Sequence, residues 1–443
     1  MTEAAPSTGS GSRSLRPLAG VLTAMAVSLT GTRVSAVALP WFVLVTTGSA
    51  TRTGLVAFCE MAPYVAVKAF TGPLVDQAGP RTVSWTTDLV SAVAAAAIPL
   101  FHALHLLSFP LLLALVAVIG AARGPGDLAK EVMVPEAAER GEVPLERAVG
   151  LSGVIERLAA TVGPAVGGSL VALLDPLTCV AVNAGCFALG SLVIAVAFPR
   201  RVARSAEAAA RRAGESGAGY WQRFGEGFTF LRTEPLLLTA FVMVAVTNLL
   251  DAAFNTVLRP VWARESGHGP AALGLTGSVT GAAAVAGSLI AALLAHRLRR
   301  RAVVLIGFLL AGAPRFLILA VDVPLGVVLA VMAVSGFGAG FLNPVLGAVL
   351  VERVPRRMLG RVNALGDSLA WAGIPLGGLV AGAAVASAGL VPVLLACGTA
   401  YFLTTNLAGL RPEWREMDRT RGRNTLKKDL GENAPRKNSD VVP

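Results

Sequence analysis

The stretch Pro176–Phe198, PLTCVAVNAGCFALGSLVIAVAF, runs for 23 residues without a single Asp, Glu, Lys or Arg. The hydrocarbon core of a bilayer takes about 20 mainly apolar residues as a helix, so this segment is long and apolar enough to be a crossing. Leu104–Gly120, Pro235–Leu250, Ala302–Val321 and Leu390–Leu410 meet or approach the same length. Across the chain, 54% of the 443 residues are hydrophobic and 15% are charged, whereas soluble domains carry about 25% charged residues. A water-soluble fold would have to expose an oily surface. The chain therefore reads as an all-α polytopic membrane protein.

Twelve transmembrane helices are expected, at about 18–46, 54–75, 82–101, 104–134, 146–174, 176–198, 235–262, 271–295, 302–321, 324–351, 359–387 and 390–410. They divide the chain into an N-terminal arm (1–17), a first six-helix bundle (18–198), a basic linker (199–234), a second six-helix bundle (235–410) and a polar tail (411–443). Leu18–Val45 is too long for a removed leader and reads as the first span. Arginines crowd the linker, the turn holding Arg297, Arg299, Arg300 and Arg301, the turn holding Arg353, Arg356 and Arg357, and the tail; the opposite side shows mainly Arg52 and Arg264. That asymmetry places both termini in the cytoplasm. It also explains the formal charge of +11 by contact with anionic membrane lipids, with no nucleic acid as partner. Tyr220–Leu231 reads as an amphipathic surface helix, and the tail beyond Asp418 as disordered.

Cys59, Cys179, Cys186 and Cys397 sit in or beside apolar segments, and the four histidines are scattered. No metal, no cofactor and no enzymatic centre is expected, and no nucleotide-binding loop points to ATP. Function should lie with the few charges inside the spans, because an unpaired charge in lipid is costly. Arg33 and Glu60 are expected to pair across the first two helices. Arg123 and Asp127, four apart, share a helix face, although Gly124-Pro125-Gly126 between them should interrupt that helix. Asp127 reads either as a proton carrier or as one member of a fixed ion pair. Asp251, Asn255 and Arg259, also four apart, form a polar stripe on the seventh span. Asp88, Glu156, Arg157, Arg315 and Asp367 complete the intramembrane charges. Trp41, Phe42, Phe58 and Phe254 are candidates for an apolar lining, and Trp85, Trp262 and Trp371 for packing.

The two halves echo each other. Leu39-Pro40 recurs as Arg259-Pro260 at a displacement of 220, and Gly153, Glu156, Leu158, Pro164 and Gly167 recur as Ala364, Asp367, Leu369, Pro375 and Gly378 at 211. Duplication of a six-helix unit puts a cavity where the halves meet, and it makes Glu156 and Asp367 equivalent positions.

Two motifs add to this. Gly72-Pro73-Leu74-Val75-Asp76-Gln77-Ala78-Gly79-Pro80-Arg81 is a tight reversal with an acid and a base. Its Gly72, Leu74, Asp76, Gly79 and Arg81 resemble the signature of the Major Facilitator Superfamily between the second and third helices, with Gln77 and Pro80 where that family commonly has basic residues. Gly163-Pro164-Ala165-Val166-Gly167-Gly168 on the fifth span resembles the antiporter motif of the superfamily's drug exporters, and Arg123 resembles its membrane-embedded arginine associated with proton coupling. The resemblance implies a major-facilitator fold, a conformational gate at Gly72, Asp76, Gly79 and Arg81, and two halves that rock about a midplane site. It further implies proton-coupled efflux of small antibiotic or siderophore-like molecules from a bacterial cell membrane, by a protein expected to act as a monomer. Proton-linked metabolite uptake and a non-transporting membrane sensor or interaction protein are the alternatives.

Overall fold

The structure, a computed structural model, describes residues 14–198, 228–294, 299–354 and 359–415 and is helical throughout its regular parts. The first part runs α1 (Arg16–Thr47), α2 (Ala50–Phe70), the short α3 (Gly72–Ala78), α4 (Pro80–Ala103), α5 (Phe109–Arg140), α6 (Leu145–Leu173) and α7 (Pro176–Ala197). The second runs α8 (Pro235–Ala253), a π-helical turn (Phe254–Leu258), α9 (Arg259–Glu265), α10 (Gly269–Leu294), α11 (Arg300–Ala311), α12 (Ala313–Leu319), α13 (Leu325–Arg353), α14 (Leu359–Ala372), α15 (Ile374–Ala388) and α16 (Leu390–Leu410). Among the described residues, eleven helical stretches are long and apolar enough to cross a membrane. Three of them bridge a break: α8–α9, α11–α12 and α14–α15. α2 falls outside that set; its 21 residues carry Arg52, Glu60 and Lys68.

Local chemistry sets the ends. Ser49 and Ser108 cap α2 and α5 by accepting from Arg52 N and Leu111 N, and Asp175 accepts from Leu177 N at 2.7 Å to start α7, as N-cap side chains do for the first unpaired amides. Leucines on the outer faces remain bare, Leu173 at 80% and Leu410 at 70% exposure. Lipid, not water, is the solvent that suits such a surface.

In the first part α1 packs on α6 and α7, α4 on α5 and α7, and α2 on α5. The second part repeats these pairings: α8 on α15 and α16, α11 on α13 with α12 on α16, and α10 on α13. The parts meet along two seams, α6 on α10 and α2 on α15. Both are made of small residues. A Cβ on Gly54 would lie 2.2 Å from Gly378 O, and one on Gly168 would lie 2.6 Å from Gly274 Cα, so backbone touches backbone, as small residues allow in membranes.

Two expectations are corrected. The second span does not run on to residue 75: α2 ends at Phe70, and α3 follows, because Pro73 has no N–H to continue the ladder. The reversal narrows to Gly79, whose φ of +81° is strained for any residue with a Cβ. Gly124-Pro125-Gly126 does not interrupt α5, which is continuous from Phe109 to Arg140. Neighbouring helices hold it: Gly124 lies against the backbone of Tyr64 and Lys68, and Gly126 against Thr87 and Asp88. The linker and tail readings fall largely on residues 199–227 and 416–443, outside the described residues.

Candidate functional site

A cavity of about 720 Å³ opens between the two parts, bordered by α1, α2, α5 and α6 on one side and by α8, α14 and α15 on the other. Four cations and four carboxylates come from the first part: Arg33, Lys68, Arg123 and Lys130 with Glu60, Asp127, Glu131 and Glu156. Asp251 is the ionisable residue of the second part on this wall, beside Asn248, Asn255 and Thr256.

α2 and α5 hold most of these charges in register. Arg123 Nη1 donates to Glu60 Oε1 at 3.0 Å, Tyr64 Oη to Asp127 Oδ2 at 3.3 Å, and Lys68 Nζ to Glu131 Oε1 at 3.5 Å. Each pair is separated by 63 residues, since residues 60, 64 and 68 recur at one-turn steps on α2 as 123, 127 and 131 do on α5. The result is a parallel zipper whose polarity reverses from one end to the other. One turn behind it, Lys130 Nζ donates to Asp88 Oδ1 at 2.8 Å and to Ser28 Oγ at 3.3 Å. Lys130 and Asp88 are each 3% exposed, so this pair is sealed inside the first part, and Lys130 reaches the cavity wall from behind.

The expected Arg33–Glu60 pair is not formed. α2 packs far more extensively on α5 than on α1, so Glu60 meets Arg123 instead. Arg123 and Asp127 share a face as expected, yet each takes its partner from α2.

The second part handles its charge differently. Arg315 on α12 donates to Asp251, and the rings of Phe254, Phe316 and Tyr401 surround its guanidinium at 5.0, 5.2 and 5.5 Å, within cation–π range. The stripe expected along the seventh span is broken: the π-turn Phe254–Leu258 inserts a residue into the helical period. Asn255 Nδ2 donates to Asp251 O, while Arg259 ends beside Gly277 on α10, away from the cavity lining.

The aromatic reading also changes. Trp41, Phe42, Phe58 and Phe254 do not line the cavity, whereas Tyr64 and Trp371 do. These two stack across the divide with centroids 6.1 Å apart, and Lys68 Nζ lies 5.2 Å from the Trp371 ring. Glu156 lines the cavity and its repeat equivalent Asp367 does not; Asp367 lies within electrostatic reach of Lys68.

The two motifs take up distinct places. Arg81 donates from its guanidinium to Phe198 O and Ala195 O, tying the start of α4 to the end of α7, where a cation complements exposed carbonyls. Gly72 and Asp76 lie in α3, the side chain of Asp76 outside the described residues. On α6, Gly163 faces Arg33, Gly167 faces Val34 and Gly168 faces Gly274, while Pro164 meets Gly277. This run therefore packs one face on α1 and another across the seam on α10.

Tyr64, Lys68, Lys130 and Glu131 were missed in the sequence. One signal was available: Arg123, Asp127, Lys130 and Glu131 fall at i, i+4, i+7 and i+8, one face of a helix. Nothing local to α2 announces that Tyr64 and Lys68 answer it.

A family profile described as "transmembrane secretion effector", of the major-facilitator type, matches residues 16–438. The chain is 32% identical over 406 residues to the multidrug efflux pump Tap of Mycobacterium tuberculosis, covering 90% of this chain and 94% of that one. It is 30% identical over 405 residues to Tap of Mycolicibacterium fortuitum, covering 91% and 97%. Two crystal structures of the nucleoside transporter NupG share the fold at 15% identity, with TM-scores of 0.71 and 0.69, over 90% and 89% of this chain and 100% and 98% of theirs.

Proposed function

Since the chain belongs to the transmembrane secretion effector family of major-facilitator-type transporters, we propose that it exports small amphipathic or hydrophobic compounds by proton-coupled alternating access. The name multidrug efflux pump carried by its relatives supports efflux, with antibiotic-like or siderophore-like molecules as cargo. The observation that carries the reading is the cavity between two parts that, among the described residues, meet most extensively along one side. The α2–α15 and α6–α10 seams lie toward the turns at 48–49, 174–175 and 389. The lining reaches the other way, to Lys68, Pro135 and Val149, at the ends of α2 and α5 and the beginning of α6.

In this reading twelve helices cross the membrane, α2 included, as two six-helix bundles spanning 18–198 and 235–410. Both termini are cytoplasmic, the basic linker 199–234 and the tail meet anionic lipid, and the protein works as a monomer in a bacterial cell membrane. The conformation described is then open to the cytoplasm. Rocking separates the glycine seams and brings the opposite ends together. The helix start held by Arg81 and the reversal at Gly79 turn with the first bundle as one body, with Gly72 and Asp76 as the gate's other members.

Asp127 is the proposed proton carrier. Of the wall carboxylates on α2, α5 and α8, Glu60 is committed to Arg123, Glu131 to Lys68 and Asp251 to Arg315, whereas Asp127 accepts one long hydrogen bond from a neutral phenol; Glu156, on α6, is the alternative carrier. A proton arriving from outside neutralises it as cargo leaves, and its loss to the cytoplasm resets the site. The test is flux and lumenal pH in liposomes with a proton gradient directed toward the cytoplasmic face, using a panel of lipophilic cations, macrolides and siderophore-like compounds. Gradient-driven export that Asp127→Asn uncouples is expected. Export indifferent to the gradient defeats the coupling, accumulation in place of export selects uptake, and ligand binding without flux selects a sensor.

A further inference from the structure

Nine Asp, Glu, Lys and Arg side chains line the cavity, and seven hold a direct partner: Glu60 with Arg123, Asp127 with Tyr64, Lys68 with Glu131, Lys130 with Asp88, and Asp251 with Arg315. Arg33 and Glu156 differ. Among the described residues neither forms a hydrogen bond or ion pair, and both are exposed within the cavity wall. A guanidinium has five donors and a carboxylate about four acceptor sites. Both are left to the cavity for solvation, in a fold that gives every other charged group on the same wall a direct partner.

The two open groups are held apart by α6. A Cβ on Gly163 would lie 2.4 Å from Arg33 Cβ, so the stem of Arg33 rests on that glycine. Glu156 stands two turns earlier on the same helix, about 10 Å along the axis. They feel each other electrostatically without coming within 4.0 Å, the limit for an ion pair. Each also has a like-charged neighbour that is already committed elsewhere. Arg123, bound to Glu60, repels Arg33, while Asp127, bound to Tyr64, attracts it; Glu131, bound to Lys68, repels Glu156. The unpaired cation and the unpaired anion are the two poles of the cavity, with Leu29 and Met25 among the apolar residues of its lining.

We propose that this cavity selects zwitterionic molecules, taking an anionic group on Arg33 and a cationic group on Glu156 with an apolar body between them. The proposal rests on the reading of the cavity as a transport site and names the chemical class of its cargo. A carboxylate can engage Arg33 in a bidentate contact, and an amine some 10 Å away or nearer answers Glu156.

Three dyes on one xanthene scaffold separate the poles: zwitterionic rhodamine B, its cationic ethyl ester, and anionic fluorescein. Binding to the purified full-length protein is followed by fluorescence polarisation. The wild type is expected to hold rhodamine B about tenfold tighter than either of the others, the scale of one charge-assisted hydrogen bond. Arg33→Gln should abolish the preference for rhodamine B over its ester, and Arg33→Lys should keep part of it. Glu156→Gln should weaken rhodamine B and the ester alike, by about tenfold. A wild type that fails to prefer the zwitterion, or a preference that survives Arg33→Gln in a protein of unchanged Tm, overturns the proposal. Should Arg33→Gln fail to fold, the wild-type dye ranking and Arg33→Lys still decide it. Flux of rhodamine B in liposomes is read separately. The dye ranking without flux sinks the exporter reading and leaves the two-pole site standing; flux without the ranking does the reverse.

Discussion

Eight of the nine Asp, Glu, Lys and Arg residues on the cavity wall belong to α1, α2, α5 and α6, and the ninth, Asp251, to α8. The first wall pairs most of its charges between two parallel helices at the cavity edge and leaves Arg33 and Glu156 open. The second withdraws its cation from the cavity, placing Arg315 among three aromatic rings and showing only the carboxylate side of the pair. Two parts that repeat the same helix pairings thus differ in electrostatics. Helix packing in a membrane is decided by shape and small residues, and it leaves the polar positions free to diverge. In the proposed alternating-access reading, the repeated scaffold supplies the hinge and the divergent polar positions supply what the hinge acts on.

The largest effect should come from breaking the most deeply buried pair on each side. Lys130→Met leaves Asp88 charged at 3% exposure and is expected to cost about 3–5 kcal/mol, read as a lowered Tm in detergent. Arg315→Met leaves Asp251, whose side chain is 36% exposed, and should cost less because the cavity solvates it. Pairing each with Asp88→Asn or Asp251→Asn should recover most of the loss. Equal losses on the two sides would erase the distinction drawn between the walls.

Gly54→Val and Gly168→Val ask whether the seams are equivalent. Each side chain would enter a backbone contact shorter than 3 Å, so overpacking by about 1–3 kcal/mol should push the protein out of the described conformation. Distances between spin labels across the α2–α15 and α6–α10 seams should lengthen in both variants. A response at one seam alone would show that the second part does not mirror the first mechanically.

The smallest effect is a control outside both walls. Hydrogen bonds from the Thr178 hydroxyl and from the amides of Leu177 and Thr178 hold the Asp175 carboxyl below its ordinary 3.8. A lowered acid stabilises the fold above its unfolded value, and that stability is lost as pH falls through the folded one. Asp175→Ala should therefore cost about 1 kcal/mol near neutrality, with the difference in Tm from wild type shrinking once the pH is below about 4. Its dye binding should match the wild type.

Much of the fold is legible in the chain because a bilayer admits few solutions: an apolar run of sufficient length must be a helix. The spans from α4 to α16 follow from that constraint, whereas α2 forms a helix of the required length whose charges leave it outside the set. The end of α2 was misplaced, since Pro73 acts on backbone pairing rather than on hydrophobicity. Pro125 was misread in the opposite sense, because the glycines beside it serve neighbouring helices that no local reading can see. In the site, Arg33, Glu60, Arg123, Asp127, Glu156 and Asp251 were singled out by residue type, and all six line the cavity. Asp367 and Arg259 were singled out in the same way and do not.

The sequence by itself determined that this is a multi-spanning helical protein and which residues bear charge inside it, through composition and length; the spacings that echo between its halves accompany helix pairings that repeat. Only the tertiary structure decided which charges meet. Glu60 lies one helix away from Arg33 in the chain, yet α2 settles against α5, and the residue inserted at Phe254–Leu258 turns Arg259 away from Asp251. Ion pairs depend on distances of a few ångströms between helices, and those distances are set by how the helices pack together.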